Sequence, residues 1–569
     1  MKEDTMAIDP YAACPCGNGK KIKFCRCRDS LAGNEDVFRL MEGGQLVAAL
    51  DRVNQLIEKE PTAAWLYAVK GRILIDVEDT GPLRENAERF LRLQPDNPLA
   101  LAQRAAVHVT DGQLQEAADC LVNALAESKE GVDPLLLDVS GILAVALIQQ
   151  GNILSSRMFA SIPLSAKGYE RPEIVAALLS QLDRDSSLNL LLKQLPTSDE
   201  LGSRQTTSER LAEALRLLHA QRVTQAQDKL RQLERQSPQE PTILMALAEC
   251  SVWRCDQSEQ VKWLRKLSEA ASLPLEQRAE FLARGALLDV QPHGLLTSPA
   301  QELSWELSQV DGLLERMALD PCCLPIPDAY ARQFVSDDEV PPRAAFQLLD
   351  GPLIKREAEL PSGAETPRVL TNVAIFGRQT DRAPLLVAQA VLQSDAQQIV
   401  AKIEQLIGGD GVGAVKETPT AVALESQYSV VPPMLRVTSR ADAIRLSQEM
   451  NEHQLADQLL DLPLQLFGGK SARQCAAQGE LELQRTAFVR ILEGAPEFGN
   501  RQAILAKIRQ AIGVAELPEI PWSTAKQRPL TPMALNRVNP EDLQDPRELA
   551  SLVQTANALR LSQLGRRAA

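Results

Sequence analysis

From Val37 onward the apolar positions recur at helical spacing, and a longer period is superimposed on them. Pro61 and Pro95 stand 34 residues apart, each closing a helix-like segment, Asn54 to Glu60 and Ala87 to Gln94. Gly44 and Gly112, like Ala49 and Ala117, are 68 apart, two such periods. Gly71, Ala105 and Ala144 are small residues where one helix can approach the next. Gly112 and Gly151 follow the latter two by seven residues, at the expected turn. Ala117, Leu121 and Ala124 then form a small-large-small face on the second helix of that pair. Helix axes come close only where Gly or Ala removes bulk, so one such spot per pair fixes the tilt between neighbours. Glu78 stands where the middle unit would carry glycine, Lys129 where the third would carry proline, and Glu130 to Pro134 shift the register. After a less regular piece from Ser155 to Asp199, Ala214, Ala226, Leu230 and Pro238 repeat the same offsets, and Ala248 follows Ala214 by 34. Leu244, Leu247, Leu264 and Leu267 continue the apolar face, with Trp253 and Trp263 as core plugs.

A 34-residue period with these small, turn and closing positions resembles the tetratricopeptide repeat, whose unit is a pair of antiparallel helices. The resemblance implies a solenoid, because one unit alone cannot bury its apolar face. It also implies a groove that holds a protein partner. The expected class is therefore mainly α, a TPR-like solenoid over 37–200 with a second array over 201–290. A generic helical bundle is the competing reading.

Beyond the repeats the period changes. Residues 291–345 are proline-punctuated and read as a connector, including Pro321-Cys322-Cys323-Leu324-Pro325. Arg368 to Phe376 and Pro384 to Val391 read as strands joined by a polar hairpin loop, Gly377 to Arg382. Ser394 to Ile407 reads as a capped helix, and residues 422–437 as the source of an edge strand. A small α+β domain over 346–437 follows. Residues 438–569 read as helices with a proline-punctuated tail.

Composition narrows the class. Of 569 residues, 44% are hydrophobic and 24% charged, which is ordinary for a globular chain long enough for several domains. A net charge of −14 argues against broad nucleic-acid binding, since phosphates would be repelled by most of the surface. The start lacks an apolar signal region, and the most apolar run, Leu135 to Ile148, is shorter than the ~20 residues of a membrane span. A cytoplasmic protein is expected.

Candidate chemistry concentrates in Cys14-Pro15-Cys16-Gly17-Asn18-Gly19-Lys20-Lys21-Ile22-Lys23-Phe24-Cys25-Arg26-Cys27. Two Cys-x-Cys pairs joined by a glycine-rich loop can close a tetrahedral thiolate cage on Zn²⁺. A disulfide cluster or an unligated tail are the alternatives, and disulfides are rare in the cytosol. Lys20, Lys21, Lys23, Arg26 and Arg28 can offset the charge of four thiolates on one Zn²⁺. The stretch resembles the SEC-C motif, the zinc-binding tail of the SecA translocation ATPase, from Cys14 to Cys25. That resemblance implies a docking element within residues 1–36. It departs at Arg26, which stands where the family has its fourth ligand, so Cys27 would take that place. The expected ligands are Cys14, Cys16, Cys25 and Cys27, holding one structural Zn²⁺. The basic array would meet an acidic protein, ribosomal RNA or anionic lipid, or else pack on the chain's own helices.

Other motifs carry less. Phe467-Gly468-Gly469-Lys470-Ser471 ends like a phosphate loop, but Leu464 replaces its first glycine and no strand precedes it. Gly408 to Gly413 reads as a flexible loop. His453 and Asp457 form an i, i+4 pair on a helix, without a companion nucleophile. The leading reading is a non-enzymatic zinc-binding adaptor. The alternative is an enzyme sited in 346–437, with Arg378, Asp381 and Arg382 of the hairpin loop taking part.

Overall fold

The computed structural model describes all residues except 1–8, 129–130, 167–168, 170–171, 186, 196, 198–207, 332–339, 354–361, 381, 435–438, 528–529, 542 and 569. The protein is mainly helical and divides into two compact units, residues 1–285 with 520–569, and residues 286–519.

In the first unit, longer helices follow one another at short intervals: α1 (Asp36–Glu42), α2 (Leu46–Lys59), α3 (Ala64–Asp76), α4 (Thr80–Leu93), α5 (Pro98–Thr110), α6 (Leu114–Glu127), α7 (Pro134–Gln149), α8 (Ile153–Ser165) and α9 (Pro172–Arg184). The series resumes with α10 (Glu209–His219), α11 (Val223–Gln236), α12 (Pro241–Trp253), α13 (Gln257–Glu269) and α14 (Leu275–Leu288). Within each run a helix packs on the next, and α3 with α5, α5 with α7 and α10 with α12 also touch. The stretch expected to be less regular, 155–199, contains most of α8 and all of α9.

One turn recurs along both runs. Gly44, Glu78, Gly112, Gly151, Gln221 and Cys255 all have positive φ, between 56° and 77°. In each case the next residue's N–H reaches back five positions, from Gln45 to Leu40, Asp79 to Leu74, Gln113 to His108, Asn152 to Leu147, Arg222 to Leu217 and Asp256 to Ser251, at 2.8–3.0 Å. This is a left-handed helix stop whose orphan carbonyl is satisfied by the chain that follows. The spacing is 34 residues from Gly44 to Glu78, from Glu78 to Gly112 and from Gln221 to Cys255. It is 39 between Gly112 and Gly151, the excess being the five residues Glu130 to Pro134, and 70 residues separate Gly151 from Gln221, across the break between the runs. Ala105, Ala144, Ala214 and Ala248 are fully buried. Gly71 is tighter still, since a Cβ there would fall 1.9 Å from the side chain of Gln103 on α5. Gln103 cannot easily yield, because it is buried and bonded to Asn86 and to the Tyr67 carbonyl.

The two runs meet through α12. Arg254 grips Asp119 of α6 through two bonds of 2.9 Å, and Ser155 of α8 donates to the Val252 carbonyl at 2.8 Å. The segment 520–569 returns to this unit. Its helix α21 (Pro546–Leu559) packs on α9 and α22 (Ser562–Ala568) packs on α21, while the buried Lys193 ammonium donates to carbonyls of Asp183, Asp185 and Leu559.

The second unit is built on a six-stranded antiparallel sheet of order β2-β3-β4-β5-β1-β6: β1 (Thr297–Leu307), β2 (Cys323–Ile326), β3 (Ala344–Leu349), β4 (Val369–Phe376), β5 (Leu385–Leu392) and β6 (Gly411–Ala423). Leu303, Trp305, Val373, Ile375 and Leu386 form one core with Leu313 and Met317 of α15 (Asp311–Leu319) and Ile399 and Ile403 of α16 (Ala396–Ile407). The helices α17 (Arg440–Asp461), α18 (Ala472–Ala477), α19 (Glu482–Gly494) and α20 (Gln502–Ile512) complete this unit.

Three expectations are corrected here. Residues 291–345 are not a connector: they supply β1, α15, β2 and the start of β3, and β1 lies inside the sheet between β5 and β6. The sheet domain therefore begins well before 346. Its edges are β2 and β6 (411–423); of the expected strand over 422–437, residues 424–434 form none and 435–437 lie outside the described residues, and the expected loop Gly408 to Gly413 is part strand. Residues 438–569 are not one region, since 440–512 belong with the sheet and 520–569 with the helical runs. The expected hairpin joining β4 to β5 is present; Asp381 lies outside the described residues.

Two stability outcomes follow. Gly112→Ala should cost about 1 kcal/mol, since alanine is strained at positive φ, whereas Glu78→Gly should not destabilise, because glycine relieves the same strain. Denaturant midpoints of both variants measure this. Gly71→Leu should cost roughly 1–3 kcal/mol by overpacking against Gln103, read as a lower melting temperature.

Candidate metal centre

The cysteine-rich stretch folds back on itself through a bridge between Ala13 and Lys21, with Cys14 N–H donating to the Lys20 carbonyl at 2.8 Å. Gly17, at φ +76°, turns the chain after the first cysteine pair. The single-turn 3₁₀ helix Ile22–Phe24 then delivers Cys25, whose N–H donates to the Ile22 carbonyl at 3.0 Å. Cys27 precedes the one-turn helix Arg28–Leu31.

All four thiols are buried, and their sulfurs lie within 4.8 Å of one another. Cys16 Sγ and Cys25 Sγ are 3.7 Å apart. A regular tetrahedron of sulfurs at ~2.3 Å from a central Zn²⁺ has an edge of about 3.8 Å, so the donor set fits a four-thiolate site. Asn18 Nδ2 donates to Cys25 Sγ at 3.1 Å, which steadies one ligand. Hydrogen bonds from Cys14 and Cys16 hold the Cys27 thiol down at about 3, helped by the Trp65 backbone N–H. Cys16 is pushed up by its bonds to Cys14 and Cys27 and by burial. Metal binding would displace the thiol protons of the cluster.

Sequence reasoning identified the four cysteines and missed what they rest on. Asn97 Nδ2 donates to the Cys16 carbonyl at 2.7 Å, while its Oδ1 accepts from Leu99 N–H at 2.9 Å and Ala100 N–H at 3.2 Å as the N-cap of α5. Leu99 presses on the loop so closely that a Cβ on Gly17 would come within 2.5 Å of its Cγ. Trp65, in the first turn of α3, donates through Nε1 to Ser30 Oγ at 2.8 Å and stacks on Phe38 at 5.8 Å. The cysteine cluster therefore sits over the N-terminal ends of two helices, where backbone N–H groups favour the thiolate form. Nothing local in the sequence signals this contact across 81 residues.

The other candidates do not assemble into a site. Gly468 and Gly469 form a tight turn, Ser471 caps α18 through a capping box with Gln474, and Lys470 is held by Gln478 and Glu480. His453 lines a cleft of about 730 Å³ in the sheet unit, yet Asp457 is bound by Arg473 rather than orienting the imidazole. Arg382 lies over the Phe376 ring at 5.0 Å. Among the described residues no helix is long and apolar enough to cross a membrane. No family model matches the chain, and no curated protein matches it either.

Asn97→Asp separates the two duties of this side chain. Aspartate keeps the helix cap but cannot donate to the Cys16 carbonyl, so metal affinity should fall roughly 10- to 100-fold with little loss of helix stability. Competition against a chromophoric chelator, together with a thermal melt, measures both.

Proposed function

We propose that this protein is a cytoplasmic zinc-binding adaptor whose repeats are of the tetratricopeptide type and bind a protein partner. The observation that carries this reading is the left-handed turn that recurs in both helical runs, three times at a step of 34 residues, with the same hydrogen bond each time. A unit repeated in this way stacks into a solenoid, and solenoids serve chiefly as extended binding surfaces. Zn²⁺ is the metal that four buried thiolates in tetrahedral reach select, and its role is structural because no open coordination position remains.

The knuckle has two sides. Its cysteine side rests on α3 and α5. The other side exposes Tyr11 and Phe24, at 60% and 68%, with the Lys23 ammonium 3.6 Å from the Tyr11 ring centre and 4.6 Å from that of Phe24. Lys20, Lys21, Arg26 and Arg28 are exposed around it. A basic, aromatic face on a chain of net charge −14 suits an acidic protein surface, with ribosomal RNA and anionic lipid as the competing targets. An enzyme using Arg378 and Arg382 remains the alternative function, and turnover lost on changing these two residues would favour it.

The test changes Lys20, Lys21 and Lys23 together to Gln. Zinc content should stay at about one equivalent, since no ligand is touched. Partner recovery at low salt should fall, and the parent's recovery should itself weaken as salt screens the charges. Equal recovery by parent and variant at both salt concentrations would contradict the docking role.

A further inference from the structure

A groove of about 470 Å³ runs between α4 and α5 in the repeat unit. Its floor is apolar, made by Ala87 and Leu91 of α4 and Val107 of α5. Its rim is cationic in a protein that is acidic as a whole, with Arg84, Arg92 and Arg104 placed around it. Two of these guanidiniums are already neutralised, Arg84 by a two-bond contact with Asp111 at 2.7 and 2.9 Å, and Arg92 by Glu88 at 3.4 Å.

Arg104 differs. Among the described contacts it meets no carboxylate: its Nε donates to His108 Nε2 at 3.3 Å, while His108 Nδ1 lies 2.7 Å from Gln113 Oε1. That pairing sets His108 in the tautomer with the proton on Nδ1, leaving Nε2 as an acceptor that fixes the plane of the guanidinium. The two terminal nitrogens are left for an anion, and a guanidinium presents these as a planar fork that matches a carboxylate.

The geometry points to this groove as the docking site of a partner segment that combines a carboxylate side chain with a neighbouring aliphatic one. The carboxylate would pair with Arg104 and the aliphatic group would cover Leu91 and Val107. This rests on the reading of the repeats as a protein-binding array and names the kind of segment it takes. The basic knuckle could attract the carboxylate too but offers no apolar floor of the kind Leu91 and Val107 make, so it is the combination of charge and apolar floor that selects the groove.

The experiment uses the full-length protein and a fluorescein-labelled dodecapeptide of aspartate, leucine and alanine, followed by anisotropy. The parent should bind it saturably, and a matched peptide with asparagine for aspartate should bind at least about tenfold more weakly. Arg104→Glu should weaken binding by a similar factor, Arg104→Lys should recover most of it, and Leu91→Asp should weaken it through the floor. Arg104 is exposed, so melting curves of its variants should match the parent. No saturable binding by the parent, or equal binding by Arg104→Glu or of the asparagine peptide, would overturn the proposal. If Arg104→Glu still retains the native partner from lysate, this groove is wrong and the adaptor reading stands. If the parent retains none, the adaptor reading itself fails.

Discussion

The contact on which the N-terminal half depends is that of a buried cysteine cluster with the ends of two helices. A helix terminus carries unsatisfied N–H groups. Here one small loop is seated on two such termini. The Trp65 N–H bonds Cys27, Asn97 joins the α5 cap to the Cys16 carbonyl, and Gly17 leaves room for Leu99. Almost every residue of the first turns of α3 is buried as a result, including the wholly buried Trp65. The knuckle is thus part of the helical unit's core, and its fold and that of the first repeats are energetically joined.

Farther along, order comes from a recurring turn. Each unit is stopped by the same left-handed turn, whether the residue there is glycine or not. Glu78, Gln221 and Cys255 adopt it at a cost that glycine avoids, which shows that packing of the two flanking helices dictates the backbone. At the junction of the two runs the Cys255 carbonyl accepts from Asn152 Nδ2 at 3.3 Å, so this strained turn also serves as a contact point.

Sequence made the helical runs legible because their signal is periodic and carried by small residues, and the cysteines legible because their spacing is rare. The sheet was only half legible. β4 and β5 are rich in apolar residues and stood out, whereas β1 opens with Thr297-Ser298-Pro299 and shows its alternation only at Leu303, Trp305 and Leu307. β6 is exposed along most of its length, so it carries no burial pattern to read. Asn97 and Trp65 were hidden for another reason. Their roles come from contacts between segments distant in sequence, and no local pattern encodes such a meeting.

Amide hydrogen exchange on the full-length protein, before and after metal extraction under reducing conditions, tests the joining of knuckle and repeats most directly. Metal removal should speed exchange at least about tenfold in the first turns of α3 and α5, while the core of α12 around Leu244 and Leu247 stays protected. Unchanged protection in α3 and α5 after the metal is gone, or a uniform loss across both helical runs, would contradict the account.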